Sequence, residues 1–292
     1  MKIRVLGSAA GGGVPQWNCS CANCRAARTL KFPGLRRTQS SMAVSADNKN
    51  WVLFNASPDF CSQAATFRSL SPGGKKLRGT AIAAVVLTDG ELDHVTGLLS
   101  LREHRKLRLV CTQTVGELLN ENFSLLPVLK NYCEVRVSHF PVQIASLRIS
   151  ALDLGSKTPP YAPHLKRRGL VVGLRIESSQ KSLAYLPGLP AITVEVEKFI
   201  AGCDCLLLDG TFWSEREMVS PGFTKRTAGD MGHVPIGGSH GTFKWLQSLK
   251  IPRKIYIHIN NTNPILRNTS REHNTVARAG MEVAHDGMDI RL

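Results

Sequence analysis

Aromatic side chains and long apolar runs are both scarce in this sequence. Aromatic residues make up only 6% of the chain, so there is no sign of the stacking platform on which single-stranded nucleic acids bind. No apolar run approaches the roughly 20 residues that a membrane-spanning helix needs, and residues 1–6 alternate like a strand instead of forming a signal segment. We therefore expect a cytoplasmic protein that binds neither nucleic acid nor membrane.

Acidic residues are outnumbered by basic ones. The chain has 22 Asp and Glu against 37 Lys and Arg, which gives a net charge of +15. The basic residues are dispersed along the chain instead of forming one block. Because a basic surface attracts acidic small molecules, we expect a small substrate that carries several carboxylates. The sequence leaves open whether the chain forms a homodimer.

Eight cysteines do not make a disulfide scaffold in a chain of 292 residues. Five of them are scattered and typical of small core residues. The other three, Cys19, Cys21 and Cys24, form a C-x-C-x-x-C motif that can turn three thiolates toward one Zn²⁺ at about 2.3 Å. We predict a structural zinc here, with Asn261 and an ordered water as two candidates for the fourth ligand. The alternative is a reduced thiol cluster without function.

Apolar patterning predicts an α/β protein. Residues 81–87 form an unbroken apolar, partly β-branched run, typical of a strand that is buried on both faces. Further strands are expected at residues 170–177, 182–186, 205–208 and 254–259, and helices at 97–105, 194–201 and 242–249. No linker is long enough to separate domains. We predict one domain over residues 1–292, with two mixed β-sheets face to face and helices outside.

Three acids and one histidine follow the buried strand directly. Asp89, Glu91, Asp93 and His94 fall within six residues, and Gly90 permits a tight turn between them. The carboxyl ends of strands in α/β proteins open into the crevice where sites are built. Carboxylate oxygens with an imidazole suit a hard or borderline metal ion. The alternative is an Asp at a helix N-terminus with solvated neighbours.

Three residues in the second half of the chain carry further candidate chemistry. Asp209 ends the strand at residues 205–208, where it is placed to support a histidine ligand through a hydrogen bond. His233 lies in a glycine-bounded loop as a proton donor, a substrate contact, or a residue near a helix N-terminus without function. His258 lies on an apolar strand, where a histidine is usually a satisfied core residue.

The spacing after the buried strand resembles the metallo-β-lactamase superfamily, which carries H-x-H-x-D-H at the end of a strand. Asp93 and His94 match the last two positions, while Asp89 and Glu91 stand where the first two histidines would be. The resemblance implies a metallo-β-lactamase-like, four-layer αββα sandwich of two mixed sheets. It also implies that His258 is the last metal ligand.

The acid that bridges two metal ions in the superfamily is absent from residues 185–189, which read Tyr-Leu-Pro-Gly-Leu. What remains of the superfamily site is Asp93, His94 and His258. Two imidazoles and one carboxylate are the ligand set of non-haem Fe(II) oxygenases with open positions. A dinuclear hydrolase needs two metals about 3.5–4 Å apart, so the residues favour redox chemistry over hydrolysis.

From end to end the chain resembles the coenzyme PQQ synthesis protein B family. The resemblance implies a structural zinc at the C-x-C-x-x-C motif and a role in the biosynthesis of pyrroloquinoline quinone (PQQ). It further implies iron- and O₂-dependent hydroxylation of the tyrosine ring in a cross-linked glutamate–tyrosine precursor. An older description of the family implies transport of PQQ or its precursor toward the periplasm. The motifs that carry the resemblance lie at residues 7–19, 55–59, 87–94, 159–164, 209–211, 231–233, 258–266 and 286–288.

Two positions depart from the family pattern. Residues 166–171 read Lys-Arg-Arg-Gly-Leu-Val where a Gly-Asp-Asn is usual, and Arg267 stands where an acid is common. His164, in the proline-rich loop before the first of these, either folds back toward the metal or is solvated.

Our hypothesis from the sequence is an Fe(II) oxygenase. Asp89 orients a metal ligand or adds one, and His233 and Asp209 handle protons or support the ligands through hydrogen bonds. The rival hypotheses are a metal-dependent phosphodiesterase, which is the commoner activity of the superfamily, and a carrier without chemistry.

Overall fold

Two seven-stranded sheets and the helices beside them form the fold, in a computed structural model that describes residues 1–29, 33–73, 77–155 and 157–292. The strands are β1 (Lys2–Gly7), β2 (Ser41–Ser45), β3 (Trp51–Phe54), β4 (Ile82–Val86), β5 (Lys106–Val110), β6 (Glu134–Ser138), β7 (Val142–Ile144), β8 (Leu147–Gly155), β9 (Val171–Ser178), β10 (Lys181–Leu186), β11 (Cys205–Asp209), β12 (Arg253–Ile257), β13 (Glu282–Val283) and β14 (Asp289–Arg291). The α-helices are α1 (Ala22–Arg28), α2 (Phe60–Thr66), α3 (Leu92–Val95), α4 (Gln113–Glu117), α5 (Leu125–Lys130), α6 (Val194–Ile200), α7 (Thr242–Ser248) and α8 (Arg271–Arg278). Within these ranges no helix has the length and apolar character needed to cross a membrane.

The two sheets repeat one pairing pattern. The first has the strand order β14-β1-β2-β3-β4-β5-β6, and the second has the order β13-β12-β11-β10-β9-β8-β7. In the first sheet the pairs from β14 to β3 are antiparallel and those from β3 to β6 are parallel. In the second sheet the pairs from β7 to β10 are antiparallel and those from β10 to β13 are parallel. Both sheets are therefore mixed, as the sequence predicts.

Apolar side chains fill three layers. Val52 and Phe54 of β3 point between the sheets, where the Phe54 ring meets Tyr185 of β10 with centroids 6.3 Å apart. The intervening Leu53 points to the outer face of its sheet and packs in a second cluster with residues that include Leu98. A third cluster joins the second sheet to α6, α7 and α8. The arrangement is a four-layer αββα sandwich, and the prediction of a metallo-β-lactamase-like fold is confirmed.

The helix after the buried strand begins earlier than the sequence predicts. We expected it at residues 97–105, but α3 begins at Leu92 and continues as a 3₁₀ helix over Thr96–Glu103. The backbone at Gly97 packs closely against the Ser57 carbonyl. A Cβ on Gly97 would lie only 2.1 Å from that oxygen, so this close packing requires glycine. Asp93 and His94 therefore lie on a helical turn.

Candidate metal centres

His94 is buried in α3 with its ring fixed by Asp89. His94 Nδ1 lies 2.8 Å from both carboxylate oxygens of Asp89, so Nδ1 donates a hydrogen bond and Nε2 is left for a metal. Asp89 also accepts hydrogen bonds from the Thr88 hydroxyl at 2.7 Å and from the Glu91 backbone at 2.9 Å. Burial by itself disfavours the imidazolium, but Asp89 and Asp93 outweigh it and raise the pKa of His94 to about 9.

Asp93, His94 and His258, named here the histidine–aspartate cluster, bring one ligand atom each within 4.8 Å of one another. Asp93 Oδ2 lies 3.8 Å from His94 Nε2 and 3.4 Å from His258 Nε2. Among the described residues, the buried His94 Nε2 has no hydrogen-bond partner. Atoms that bind one ion at about 2.1 Å lie roughly 3.0–3.4 Å apart. A metal ion would therefore satisfy this nitrogen after small shifts, so the residues fit the iron site that the sequence predicts.

Thr211 and Asp209 orient His258. The Thr211 hydroxyl donates to Asp209 Oδ1 at 2.6 Å and accepts a hydrogen bond from His258 Nδ1 at 2.8 Å. His258 Nε2 is thereby left on the side of Asp93. The backbone of His258 has a φ of 60°, which costs a residue other than glycine about 1–3 kcal/mol. The packing around β12 holds this residue in a conformation that it would not adopt alone.

Asp209 also anchors His233. His233 Nδ1 donates to Asp209 Oδ2 at 2.7 Å, and the His233 ring stacks on His258 with centroids 5.6 Å apart. Asp209, His233 and His258 form a second group of ligand atoms within 4.8 Å. The Asp209 oxygens, however, already accept four hydrogen bonds, from His233, Leu189 and twice from Thr211. Asp209 is thus a support for the histidines, and His233 keeps Nε2 for a proton or a substrate.

Glu91 and His164 lie outside both groups. Burial and the nearby Asp89 raise the pKa of Glu91, against the opposing effect of Lys157. Glu91 therefore takes up a proton more readily than an ordinary surface carboxyl. His164 is exposed and does not fold back toward the metal site. From the same loop, Tyr161 donates a hydrogen bond to the Gly90 carbonyl at 2.5 Å and so covers the turn before α3.

Cys19, Cys21 and Cys24, named here the cysteine cluster, also place their sulfurs within 4.8 Å of one another. Backbone N–H groups point at each sulfur: Cys21 N lies 3.4 Å from Cys19 Sγ, Cys24 N lies 3.4 Å from Cys21 Sγ, and Gln16 N lies 3.3 Å from Cys24 Sγ. Burial raises the pKa of the Cys21 thiol to about 12. The Cys21 thiol would therefore lose its proton most readily beside a cation, which fits the predicted zinc.

Asn261 reaches the cysteine cluster from the segment after β12. Its Nδ2 lies 3.2 Å from Cys24 Sγ. Its Oδ1 is buried and has no donor among the described residues. A buried acceptor without a donor is costly. Nδ2 is the amide atom that faces Cys24 Sγ, so Oδ1 would reach a zinc ion at the cluster after the amide group turns over, and that contact would remove the cost. Asn261 thus fits the fourth ligand position, which stays a prediction.

Asn23 and Arg267 connect the cysteine cluster to the same segment. Asn23 Nδ2 donates to the Asn261 carbonyl at 3.0 Å and to the Asn263 carbonyl at 2.9 Å. Arg267 donates to Asn23 Oδ1 at 2.8 Å and to the Ala22 carbonyl at 2.7 Å. Arg267, which departs from the family pattern, therefore stabilises α1 where the cysteines sit.

Sequence reasoning did not single out Thr88, Thr211 or Asn23, although each fixes a candidate ligand or its loop. A signal exists for Thr211, because its hydroxyl comes two residues after Asp209, a buried acid at a strand end. Thr88 and Asn23 have no such pattern. Thr88 acts on the adjacent Asp89, and Asn23 acts on carbonyl groups that are distant in the chain.

The chain is similar to several known proteins. Residues 50–259 match the family described as "Beta-lactamase superfamily domain". The chain is 46% identical to "Coenzyme PQQ synthesis protein B" of Nitrosococcus oceani and 45% identical to the protein of the same name of Methylococcus capsulatus, in each case over 100% of both chains. The crystal structure of Zn²⁺-bound PqqB from Methylobacterium extorquens is 36% identical and covers 100% of both chains, with a TM-score of 0.90.

These similarities extend over the whole molecule. The superfamily match includes β11, which ends at Asp209, and the strands β4 and β12, which precede Asp89 and His258. The full-length relatives also cover the N-terminal cysteine cluster and the last strand of the first sheet. The chain belongs to the coenzyme PQQ synthesis protein B family, within the β-lactamase superfamily.

Proposed function

We propose that this protein acts in PQQ biosynthesis as an Fe(II)-dependent oxygenase that hydroxylates the tyrosine ring of a cross-linked glutamate–tyrosine precursor. Family membership supports the pathway, since the full-length relatives are named for coenzyme PQQ synthesis. The observation that carries the chemistry is the histidine–aspartate cluster, in which the buried Nε2 of His94 has no hydrogen-bond partner among the described residues. Two imidazoles and one carboxylate leave iron with open positions for O₂ and substrate.

One metal suits this site better than two. Residues 185–189 contain no carboxylate, although the superfamily places its bridging acid there. Asp209 and Asp89 are engaged in hydrogen bonds to histidines. A dinuclear clamp needs a carboxylate free to bridge. The geometry therefore supports redox chemistry at one ion over two-metal hydrolysis.

Iron bound at the cluster would supply the activation of O₂ for hydroxylation of the ring. Two of the three ligands are held in place by hydrogen bonds: Asp89 orients the His94 ring, and Thr211 orients the His258 ring. His233, fixed through Nδ1 by Asp209, exchanges a proton or contacts the substrate at Nε2. The reaction places one oxygen atom on the ring, and the other leaves as water with two electrons and two protons from a reductant.

The cysteine cluster holds a structural zinc in this proposal, with Asn261 as fourth ligand. Three thiolates leave little Lewis acidity for chemistry, and the contacts of Asn23 show that α1 supports the His258 segment. The substrate is small and acidic, which suits the net charge of +15. A cytoplasmic location, without nucleic-acid or membrane partners, stays a prediction.

The test is oxygen uptake by protein that was loaded with Fe²⁺ under nitrogen. A glutamate–tyrosine cross-linked compound is added with ascorbate as reductant, and the product is analysed by mass spectrometry under ¹⁸O₂. We expect one labelled oxygen atom in the ring per O₂ consumed. Protein loaded with Zn²⁺ in place of iron is the matched control and should consume no oxygen. Absence of labelled product with iron would disprove the oxygenase.

Parallel assays on the same metal-loaded protein test two rival functions. Zn²⁺- or Mn²⁺-dependent cleavage of a chromogenic phosphodiester without O₂ would indicate a hydrolase. Tight binding of PQQ with no oxygen uptake under any metal would indicate a carrier. Either result would replace the oxygenase proposal.

A further inference from the structure

A cleft of about 520 Å³ lies beside His233. One wall is formed by residues 213–215, which follow β11, and the other by residues 233–241, which lead into α7. His233 lines this cleft and at the same time stacks on His258. A molecule in the cleft would therefore contact His233, whose ring lies between the cleft and His258 of the histidine–aspartate cluster.

Two glycines keep the shape of this cleft. Gly237 N donates to the Trp213 carbonyl at 2.8 Å, and a Cβ on Gly237 would lie 3.2 Å from the Trp213 indole nitrogen. A Cβ on Gly241 would lie only 2.2 Å from the Gly237 carbonyl oxygen. The loop can thus fold back on itself only with glycine at position 241, and a side chain at position 237 would have to displace Trp213 slightly.

A second lobe of about 510 Å³ continues the cleft along α7. The two lobes share Val234, Ser239, His240 and Gly241, and the second lobe is also lined by Lys244. In the part of the chain that the structure describes, neither His240 nor Lys244 forms an ion pair or a side-chain hydrogen bond. An ammonium group that has no counter-charge and borders a cleft attracts an anionic ligand.

The first lobe carries the opposite charge. Glu215 lines it, and its Oε1 accepts a hydrogen bond from Gly229 N at 3.0 Å, which fixes the carboxylate. The groove therefore has an acid in the lobe that contains His233 and a lysine in the lobe beyond. Charges of both signs along one groove complement a ligand that has ammonium and carboxylate groups. Amino-acid derivatives have this pattern.

We propose that this two-lobed groove binds the amino-acid portions of the substrate that are remote from the reacting ring. Lys244, with His240, binds a carboxylate, and Glu215 binds an ammonium group. Trp213 offers its indole to the apolar stem between them. The inference rests on the proposed function, which supplies the substrate class. These residues determine specificity and do not take part in the chemistry.

The test measures binding without turnover. Iron-loaded protein is titrated under nitrogen with the glutamate–tyrosine cross-linked compound in a calorimeter. Lys244→Met should raise the Kd about tenfold, since a charge-assisted contact is lost. Lys250→Met is the matched control, because Lys250 is exposed just after α7 and outside both lobes. The control should bind like the wild type, and all variants should keep the wild-type Tm.

Modified probes identify which charge each residue recognises. The methyl ester of the compound should bind wild type and Lys244→Met equally, because the carboxylate charge is gone. Glu215→Gln should bind the parent compound more weakly than the wild type does. The N-acetylated compound should bind both proteins equally, because its ammonium charge is gone. Unchanged Kd values for the parent compound in both variants would overturn the groove as the binding subsite, as would a wild type that does not bind the compound.

Turnover under air separates this inference from the proposed function. Hydroxylation that proceeds while both variants bind normally overturns the groove alone. If binding depends on Lys244 and Glu215 but no hydroxylation occurs, the groove is supported as the binding subsite and only the oxygenase proposal is overturned.

Discussion

The cysteine cluster and the histidine–aspartate cluster differ in how much of the chain builds them. The cysteines come from one turn, residues 19–24. The other cluster joins α3, which follows β4 of the first sheet, to His258, which follows β12 of the second. The turn can bring its three thiols together before the rest of the protein has packed, and the proposed fourth ligand, Asn261, joins them from the segment after β12. The histidine–aspartate cluster forms only when the two sheets are packed against each other.

The hydrogen bonds around the two clusters differ in the same way. Backbone N–H groups of the turn point at the sulfurs. The imidazoles are held by the side chains of Asp89 and Thr211. Backbone donors stabilise a site that only has to hold its ion, whereas side-chain partners set the orientation and the pKa of each ligand. The difference matches a structural role for one cluster and a chemical role for the other.

The largest expected effect is on the cluster that spans both sheets. His258→Ala should weaken Fe²⁺ binding there by at least about 1000-fold, because one of three protein ligands is removed. Zinc at the cysteine cluster should stay at one equivalent. Metal content after anaerobic loading and dialysis, measured by mass spectrometry, checks both statements.

Two further variants test whether the loss of iron in His258→Ala is due to the missing ligand. His258→Gly relieves the positive φ and should lose iron to the same extent, which separates the missing ligand from backbone strain. His164→Ala changes an exposed histidine and should keep all of its iron. Full iron content in the His258 variants would contradict the site.

The next effect is on the local cluster. Cys24→Ser should remove the zinc and lower the free energy of unfolding by about 3 kcal/mol, because a structural metal adds its binding energy to folding. Iron binding should change far less than in the His258 variants. Urea unfolding with metal analysis gives both values. Cys61→Ser, at an exposed thiol of α2, is the control and should leave stability unchanged.

The same contrast explains how much the sequence predicted. The C-x-C-x-x-C spacing is local, so the sequence alone brings Cys19, Cys21 and Cys24 together. The apolar run at residues 81–87 likewise predicts β4 to within a residue or two at each end, since burial on both faces leaves a clear pattern. The metallo-β-lactamase-like form of the sandwich and the assignment of His258 as a metal ligand with Asp93 and His94 came from the resemblance to a superfamily.

The network around His258 could not be predicted in this way. It depends on the parallel pairing of β11 with β12, which sets Asp209 beside Ile257 and so brings Thr211 to His258. Such pairings are not encoded in any short stretch of sequence. The sequence suggested that Asp209 and His233 handle protons or support the ligands through hydrogen bonds, without showing that the two are hydrogen-bonded to each other.

A smaller effect is expected where a side chain only orients a ligand. Asp89→Asn should weaken metal binding at the histidine–aspartate cluster by about 10–100-fold, the usual range for the loss of a partner that holds a ligating histidine. In wild type the pKa of His94 is raised to about 9, so a proton must leave when metal binds. Affinity should then rise about tenfold per pH unit between pH 7 and 9.

In the Asp89→Asn variant this pH dependence should level off at a lower pH, because the negative charge that raises the pKa of His94 is gone. Titrations with Co²⁺ at a series of pH values measure both the affinity and its slope. Asp289→Asn, at an exposed carboxylate paired with Arg4, is the control and should show the wild-type curve. If the affinity of the Asp89 variant levels off at the same pH as that of the wild type, Asp89 does not control the protonation of His94.

The smallest expected effect tests whether the two clusters are independent. Asn23 lies on α1 between Cys21 and Cys24 and donates to the carbonyls of Asn261 and Asn263. Asn23→Ala removes two buried hydrogen bonds, which should lower the free energy of unfolding by about 1–3 kcal/mol. Part of this loss should reach His258 through the shared segment and weaken metal binding there by about threefold.

Asn131→Ala is the matched control, because its amide caps α5 on the surface and far from both clusters in the chain. It should leave metal affinity unchanged. If Asn23→Ala lowers stability and leaves iron affinity at the wild-type value, the cysteine cluster stabilises only its own turn. If affinity falls with stability, α1 helps to hold His258 in its strained conformation, and a local site then contributes to the geometry of a long-range one.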